Sequence, residues 1–334
     1  MSGNKDTITG VVCGVLAGSL WGLVFLAPEL VREFGALELT AGRYLFYGLF
    51  SALLIAPIWR RVVAQLGRRE WLALGWLAFA GNILYYVLLA NAVRMGGIAM
   101  TSLVIGFLPV AVTIVGSRDK GAVPLRRLAP SLALCAIGAL CIGWQALSWS
   151  ASASIVQQSI GLLCAIGALV SWTCYAVGNS RWLMRLDHVS AHEWNLLTGV
   201  MTCVQALLLV PAVLVFSKGH HDVAAWTKLA GVAAGVALLA SMLGNALWNR
   251  MSRLLPLTLV GQMILFETLF ALIYGFIWEQ RLPTTLETVA FVLVVLSVLS
   301  CLAAHLDVED RREVVRLGEG GPKPATPDLT SGIE

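Results

Sequence analysis

The chain has 334 residues, of which 58% are hydrophobic and only 13% are charged. A soluble globule of this size needs more polar side chains to cover its surface, so the composition excludes a soluble enzyme or a nucleic-acid-binding domain. The net charge of +4 is small, and its placement along the chain is more informative than its size. The composition therefore predicts a protein embedded in lipid.

Apolar runs between charged residues or Pro and Gly breaks predict membrane-spanning helices. A bilayer core about 30 Å thick needs roughly 20 apolar residues per helix, and the runs lack the alternation of a transmembrane β-strand. The predicted spans are 7–27, 39–58, 71–93, 97–116, 126–147, 157–179, 193–216, 226–249, 256–277 and 284–305. The predicted fold class is an all-α polytopic membrane protein with ten transmembrane helices.

The positive charges predict how the chain is oriented. Most of the 23 Lys and Arg residues fall in loops on one side of the predicted spans. Positively charged loops stay in the cytoplasm, so we expect a multi-pass protein of the bacterial inner membrane with both termini cytoplasmic. From Asp307 to Glu334 the sequence turns polar and rich in Gly and Pro. Residues 307–334 are therefore predicted to be a disordered cytoplasmic tail.

Short stretches recur in the same order in the two halves of the chain. Gly18–Trp21 in the first predicted helix resembles Ala168–Trp172 in the sixth, and Gly81–Tyr85 in the third resembles Gly244–Trp248 in the eighth. A third match joins the fourth and ninth helices. These matches predict a duplication into two five-helix repeats.

The predicted repeats cover residues 1–148 and 149–306. Because each repeat has an odd number of helices, the second copy enters the membrane from the opposite side, and the two halves are inverted with respect to each other. Two inverted half-structures can exchange conformations and so open a central site to one side and then the other. The architecture suggests transport.

Aromatic and amide side chains lie deep in several predicted spans. An indole N–H or a side-chain amide at such depth needs a partner in the protein or a substrate. A mixed aromatic and amide surface suits a solute with a flat apolar body and a polar end, whereas packing between helices is the structural alternative. The candidate cavity residues are Trp21, Asn82, Tyr85, Tyr86, Trp172, Asn245, Trp248, Gln262 and Phe266.

Two of the charged residues within predicted spans are candidates for a functional role. Glu267 is near the middle of the ninth helix, where a carboxylate costs at least a few kcal/mol to bury. It is held protonated, forms structural hydrogen bonds, exchanges a proton or contacts a substrate ammonium group. Arg43 lies a few residues inside the second helix, and snorkelling or pairing with Glu38 is expected there ahead of attraction for a substrate carboxylate. Gly10, Gly14, Gly18 and Gly22 form a small face on the first helix that permits close approach of another backbone.

The second and ninth predicted helices resemble a known family. Residues 39–45, Leu-Thr-Ala-Gly-Arg-Tyr-Leu, are similar to the second-helix pattern of the EamA-type drug/metabolite transporter superfamily, and residues 266–282 are similar to its ninth-helix signature. The resemblance extends over nearly all of residues 7–305. The deep aromatic residues and the segment Gly-Asn-Ile-Leu-Tyr-Tyr resemble most the YddG-type exporters of aromatic amino acids.

The resemblance implies a secondary transporter that exports aromatic and other hydrophobic amino acids by alternating access. Its expected partners are an amino-acid-like solute, the lipid bilayer and, if Glu267 is coupled, protons; we expect a monomer, with a dimer left open. No nucleotide-binding loop or metal-binding motif occurs in the sequence, so neither a cofactor nor a metal is expected.

Two alternatives stay open at this point. One is a broad-specificity drug or metabolite exporter, because an uncharged aromatic cavity also accepts planar cations. The other is a membrane protein that transports nothing. An enzyme is disfavoured, because Glu267 has no evident nucleophile or base in a neighbouring span.

Overall fold

The computed structural model describes residues 2–31, 33–119, 122–147, 155–216, 221–280 and 282–319. Within these ranges the regular structure is helical. The predicted boundary between the repeats, at residues 148 and 149, and the last part of the predicted tail, residues 320–334, lie outside the described ranges.

The helices of the N-terminal half follow one another with few interruptions. In chain order they are α1 (Ser2–Gly22), α2 (Ala27–Leu30), α3 (Ala36–Ile55), α4 (Trp59–Val63), α5 (Arg68–Ala78), α6 (Tyr85–Ile105), α7 (Leu108–Gly116) and α8 (Leu125–Leu147). A π-helical segment, Phe79–Leu84, connects α5 to α6 without a loop. Helices α5 and α6 are therefore one continuous helix with a widened turn between them.

The helices of the C-terminal half also follow one another with few interruptions. Its helices are α9 (Ile155–Arg185), α10 (Ala191–Leu207), α11 (Val210–Phe216), α12 (Val223–Val236), α13 (Asn245–Leu254), α14 (Leu257–Met263), α15 (Leu265–Glu279) and α16 (Thr285–Glu319). A second π-helical segment, Ala237–Gly244, joins α12 to α13. Among the described residues each half thus contains one π segment. The first includes the pair Gly81-Asn82, and the second ends within the recurring pair Gly244-Asn245.

Prolines set two of the helix breaks. The proline ring clashes with the carbonyl group four residues earlier, and α6 ends at Ile105, four residues before Pro109. In the same way α10 ends at Leu207, four residues before Pro211. The first turn of a helix tolerates proline, so α7 and α11 begin there.

The sequence places a break between the third and fourth spans at residues 94–96, and this prediction is wrong. In the structure α6 runs through that stretch without interruption, and the break comes instead after Ile105. No proline occurs between Leu84 and Pro109. A continued helix keeps its backbone N–H and C=O groups paired in a medium without water, so the two glycines at 96 and 97 do not end it.

Six helical segments among the described residues are long and apolar enough to cross a membrane. They are Leu37–Val63, Arg68–Leu89, Val156–Arg185, Val223–Leu254, Leu257–Trp278 and Thr285–Asp307. They coincide with the second, third, sixth, eighth, ninth and tenth predicted spans. The helical membrane-protein class is therefore confirmed, whereas the count of ten spans stays a prediction.

The start of the predicted tail differs from the expectation. Helix α16 continues as far as Glu319, so residues 307–319 are helical where the sequence suggests disorder. An ion pair of 3.0 Å between Arg127 Nη1 and Asp307 Oδ2 fixes the point where the predicted tail begins. Acidic and basic residues three apart, as at Glu309 and Arg312, also favour a helix.

Helices from the two halves pack against each other in pairs. Helix α1 contacts α13 and α15, and α9 contacts α6 and α7. Three further pairs, α3 with α10, α7 with α14, and α8 with α16, each join one helix of either half. The buried side chains form one main cluster that draws on both halves.

The glycine face of α1 lies directly against α13 and α15. A Cβ atom added at Gly14 would lie 2.7 Å from Met251 Sδ, and one at Gly22 would lie 2.9 Å from the backbone nitrogen of Ala271. Such contacts are too short for a real Cβ. The small face predicted from the sequence therefore brings α1 within backbone distance of α15.

We expect Gly18→Ala to destabilise the protein. The added Cβ would lie 2.5 Å from Phe266 Cβ and 2.8 Å from the Phe266 carbonyl carbon, and neither atom can move without shifting α15. Overpacking of this kind costs about 1–3 kcal/mol. A thermal melt of the detergent-solubilised variant should show a lower midpoint than the wild type.

Gly231→Ala is the matched control, because a Cβ added there meets nothing within 4 Å. Its melting midpoint should equal or exceed that of the wild type. If the two alanine variants melt alike, close approach at Gly18 is not a constraint on the fold.

Candidate substrate-binding site

Three tryptophans from different helices meet at one point inside the protein. Trp21 near the end of α1, Trp172 in α9 and Trp248 in α13 are all buried. The ring centroids are 6.2 Å apart for Trp21 and Trp172, 5.0 Å for Trp21 and Trp248, and 5.7 Å for Trp172 and Trp248. These are normal distances for interacting aromatic rings. The structure therefore brings together the three tryptophans that recur in the sequence repeat.

Tyrosines extend this contact towards α3 and α6. The Tyr85 ring lies 6.5 Å from Trp172 and 5.7 Å from Tyr86, and Tyr86 lies 5.7 Å from Tyr44. On the other side of Trp172, the Tyr175 ring is 5.9 Å away. The name aromatic cluster is used below for Trp21, Tyr44, Tyr85, Tyr86, Trp172, Tyr175 and Trp248.

The two π segments provide carbonyl groups to side chains of the opposite half. Trp21 Nε1 donates to the Ala240 carbonyl oxygen at 3.1 Å and to Asn245 Oδ1 at 3.2 Å. Ser171 Oγ donates to the Ala80 carbonyl oxygen at 2.8 Å. A π turn shifts the i to i−4 hydrogen-bond pattern and makes such carbonyl groups accessible. The π segments therefore bind Trp21 and Ser171, the residue before Trp172.

Arg43 is buried at the edge of the aromatic cluster. Its Nε donates to Ser241 Oγ at 2.9 Å, and its Nη1 donates to the Tyr86 hydroxyl group. The guanidinium carbon also lies 5.4 Å from the centroid of the Tyr44 ring and 5.2 Å from that of Tyr86, in range of cation–π attraction. Only 8% of the residue is exposed.

The structure shows neither of the two roles expected for Arg43, snorkelling or pairing with Glu38. Helix α3 begins at Ala36, so Arg43 is two turns inside the helix and faces the protein. Glu38 lies in the first turn, with its carboxylate beside Gly35 at the helix start. There it complements the partial positive charge of the helix N-terminus and is not a partner of Arg43.

Glu267 lies at a break in the ninth predicted span. Helix α14 ends at Met263, α15 begins at Leu265, and Glu267 is in the first turn of α15. A helix N-terminus carries free N–H groups and partial positive charge, which favours a carboxylate. Glu267 and Arg43 form no ion pair, since their charged atoms are more than 4.0 Å apart. Glu267 is therefore supported by the start of α15, on the turn where its backbone nitrogen faces Gly18 of α1.

The remaining predicted cavity residues make contacts between helices. Asn245 accepts the Trp21 hydrogen bond and belongs to the site, and Phe266 packs against Gly18 of α1. Asn82 Nδ2 donates to Thr202 Oγ1 on α10 at 3.0 Å. Gln262 is fully buried, and its Oε1 accepts from Ser297 Oγ on α16 at 3.1 Å. The last two amides hold neighbouring helices together.

Several residues of the site were missed by sequence reasoning. Tyr44 follows Arg43 directly, and the tyrosine next to a charged residue in an apolar span was a usable signal. Tyr175 lies on the turn of α9 that follows Trp172, at the i+3 spacing that places residues on one face. Nothing in the sequence marks Ser241, because its position depends on the π segment.

Two donors in the aromatic cluster have no hydrogen-bond partner among the described residues. They are the Tyr44 hydroxyl group and Trp248 Nε1, and both side chains are 1% exposed. Buried polar groups are nearly always hydrogen-bonded. The cluster thus combines aromatic surface, a buried cation and two free donors.

Comparison with known proteins identifies the class to which this fold and site belong. The model of the EamA-like transporter family matches the chain twice, at residues 8–144 and at residues 159–302. The chain therefore belongs to the EamA-like transporter family. This confirms the superfamily resemblance drawn from the sequence, and each match falls within one predicted repeat.

Individual relatives agree with this class. Inner membrane protein YtfF of Escherichia coli (strain K12) is 31% identical over 324 residues, which cover 89% of this chain and 96% of YtfF. A solved crystal structure superposes with a TM-score of 0.70 at 17% sequence identity and covers 89% of this chain and 97% of its own. The second likeness shows the fold alone. The protein is a multi-pass membrane transporter of this family, homologous to YtfF.

We expect Trp21→Phe to destabilise the protein more than Trp248→Phe. Both changes remove an indole N–H from the same cluster, but only Trp21 Nε1 has acceptors, the Ala240 carbonyl group and Asn245. Leaving a buried acceptor unsatisfied costs roughly 1–3 kcal/mol. Thermal melts of the two purified variants measure the difference.

Because the two substitutions lose the same ring volume, each is the packing control for the other. Equal melting midpoints would mean that the hydrogen bonds of Trp21 to the π segment contribute nothing to stability.

Proposed function

We propose that this protein is a secondary transporter that exports aromatic and other hydrophobic amino acids by alternating access. The observation that carries the proposal is the aromatic cluster, in which Trp21, Trp172 and Trp248 meet from α1, α9 and α13. Pockets for small molecules are lined mainly by aromatic and apolar side chains with a few placed polar groups. The tryptophan faces suit the side chain of an aromatic amino acid, and Arg43 suits its charged end.

The proposed architecture is ten spans in two inverted repeats, covering residues 1–148 and 149–306. The two separate family matches support a duplication. The helix contacts support the inversion: α1 packs on α13 and α15, and the corresponding α9 packs on α6 and α7. If each half adopted the conformation of the other, α1 would make the contacts that α9 makes now, and α9 those that α1 makes now.

Ion pairs between the proposed halves support alternating access. Arg61 pairs with Glu193, and Arg181 Nη2 lies 2.7 Å from Asp119 Oδ1. Each pair joins one residue of either half on the side that the positive charges predict to be cytoplasmic. The arginine of each pair is exposed, although Glu193 is buried, and pairs at an exposed surface contribute about 0–1 kcal/mol. They can close that side and still break easily during a transport cycle.

A broad drug or metabolite exporter is the second candidate. Aromatic surfaces also attract planar cations, and nothing in the family match assigns a substrate class. The buried charge of Arg43 at the cluster favours an amino acid, because a cationic drug would be repelled by it.

The test is flux of labelled substrate in proteoliposomes that contain the purified protein. We expect phenylalanine, tyrosine and tryptophan to move down their gradients faster than in protein-free liposomes. The Trp172→Ala variant should lose most of this flux, because its ring contacts both other tryptophans. Wild-type liposomes that move cationic dyes but no amino acid would establish the second candidate instead.

We also expect Glu267→Gln to abolish flux driven by a pH gradient, if the carboxyl group carries the coupled proton. Flux driven by the substrate gradient should persist in this variant, which separates loss of coupling from loss of folding. Identical wild-type and variant rates at every imposed pH gradient would leave Glu267 with its structural role at the start of α15.

A further inference from the structure

The buried guanidinium group of Arg43 has unused hydrogen-bonding capacity. An Arg side chain has five N–H groups in a planar fork, and two of those of Arg43 are bound, to Ser241 and Tyr86. No other described residue accepts a hydrogen bond from it, and no carboxylate in the described ranges lies within ion-pair distance. A buried cation in a membrane protein is costly when it is left unpaired. Among the described residues Arg43 has no carboxylate at contact distance, and its remaining N–H groups are free to bind one.

One residue with a free donor, Tyr44, adjoins this guanidinium group, and a second, Trp248, lies further along the aromatic cluster. The Tyr44 hydroxyl group and Trp248 Nε1 are buried without acceptors in the described structure. The Tyr44 ring adjoins both Arg43 and Tyr86, and Trp248 contacts Trp21, whose N–H binds Ala240, the neighbour of Ser241. The cluster therefore offers several donors and, among the described residues, no carboxylate bound at Arg43. This is the chemistry that binds a carboxylate.

Glu267 adds a condition to that binding. Its backbone nitrogen would lie 2.9 Å from a Cβ at Gly18, one turn before Trp21, so Glu267 is on the turn of α15 that packs beside the aromatic cluster. It forms no ion pair with Arg43, so both groups keep hydrogen-bonding capacity. A simple organic anion bound at Arg43 would be repelled by the Glu267 carboxylate, and a simple cation bound at Glu267 would be repelled by Arg43. A molecule with a carboxylate and an ammonium group on the same carbon satisfies both. Repulsion of the wrong ligands gives specificity as effectively as attraction of the right one.

We propose that Arg43 binds the substrate carboxylate and that Glu267 restricts the site to molecules that also carry a positive charge, so that the transporter selects zwitterions. This inference rests on the proposed function and specifies which chemical group of the amino acid is recognised by which half of the protein. Arg43 belongs to the N-terminal half and Glu267 to the C-terminal half. The aromatic cluster then receives the side chain.

The experiment compares three competitors with the same ring and different charges. L-Phenylalanine is a zwitterion, L-phenylalaninamide is a cation and 3-phenylpropanoate is an anion. Each is added at increasing concentration to proteoliposomes of the full-length protein, and the initial rate of labelled L-phenylalanine uptake is measured. We expect L-phenylalanine to compete about 30-fold or more better than either analogue, since a lost charged contact in a buried site costs at least about 2 kcal/mol.

Variants test which residue recognises which charged group of the substrate. Arg43→Gln should remove the advantage of L-phenylalanine over its amide, and Arg43→Lys should restore it only in part, because an ammonium group lacks the planar fork. Glu267→Gln should remove the advantage over 3-phenylpropanoate and keep the advantage over the amide. Arg60→Gln is the control, because Arg60 is exposed on the predicted cytoplasmic side, and it should leave all three competition curves unchanged.

Two results would overturn the inference. One is equal competition by L-phenylalanine and its amide in the wild type, which requires no variant to fold. The other is an Arg43→Gln protein that keeps the wild-type ranking of the three competitors. Absence of any L-phenylalanine uptake by the wild type would instead contradict the proposed function, so the two failures are distinguishable.

Discussion

The close approach of α1 to α13 and α15 is the contact on which the rest of the structure depends. It is possible only because four glycines line one face of α1, where a Cβ would meet backbone or side-chain atoms within 3 Å. Lipid offers no hydrophobic driving force between helices, so such tight packing is a main source of stability. The same approach carries Trp21 into contact with Trp248 and with the π segment of the opposite half.

The π segments supply hydrogen-bonding groups to the side chains of the candidate site. A regular helix has no free carbonyl group in its middle, but Ala240 and Ala80 accept hydrogen bonds from Trp21 and Ser171. The segment that contains Ala240 also presents Ser241 to Arg43. One irregular turn therefore orients an indole from α1 and a guanidinium group from α3 together. A cation that would be costly in lipid is stabilised here by neighbouring rings and hydroxyl groups.

The break between α14 and α15 determines the position of the acidic residue Glu267. Glu267 is tolerated near mid-membrane because α15 starts just before it, and the helix N-terminus offers partial positive charge. Half-helices that meet at a binding site are a general feature of secondary transporters. The membrane thus admits two opposite charges here, each supported by the backbone or by aromatic faces. Their separation is the feature on which the proposed recognition of a zwitterion depends.

Much of this protein was determined by its sequence alone. The apolar runs gave the helical membrane class, the local matches gave the duplication proposal, and the tryptophans at repeated positions gave the centre of the site, because each of these is a property of neighbouring residues. Tertiary structure decided the rest. The sequence predicts a snorkelling role for Arg43, whereas in the structure α3 begins two turns before Arg43 and buries it. The sequence also predicts a loop at Gly96, whereas α6 continues to Ile105. The roles of Asn82 and Gln262 as contacts between helices, and that of Ser241, depend on which helix lies opposite. Local sequence cannot supply this, because the partners are far apart in the chain and meet only when the two halves pack.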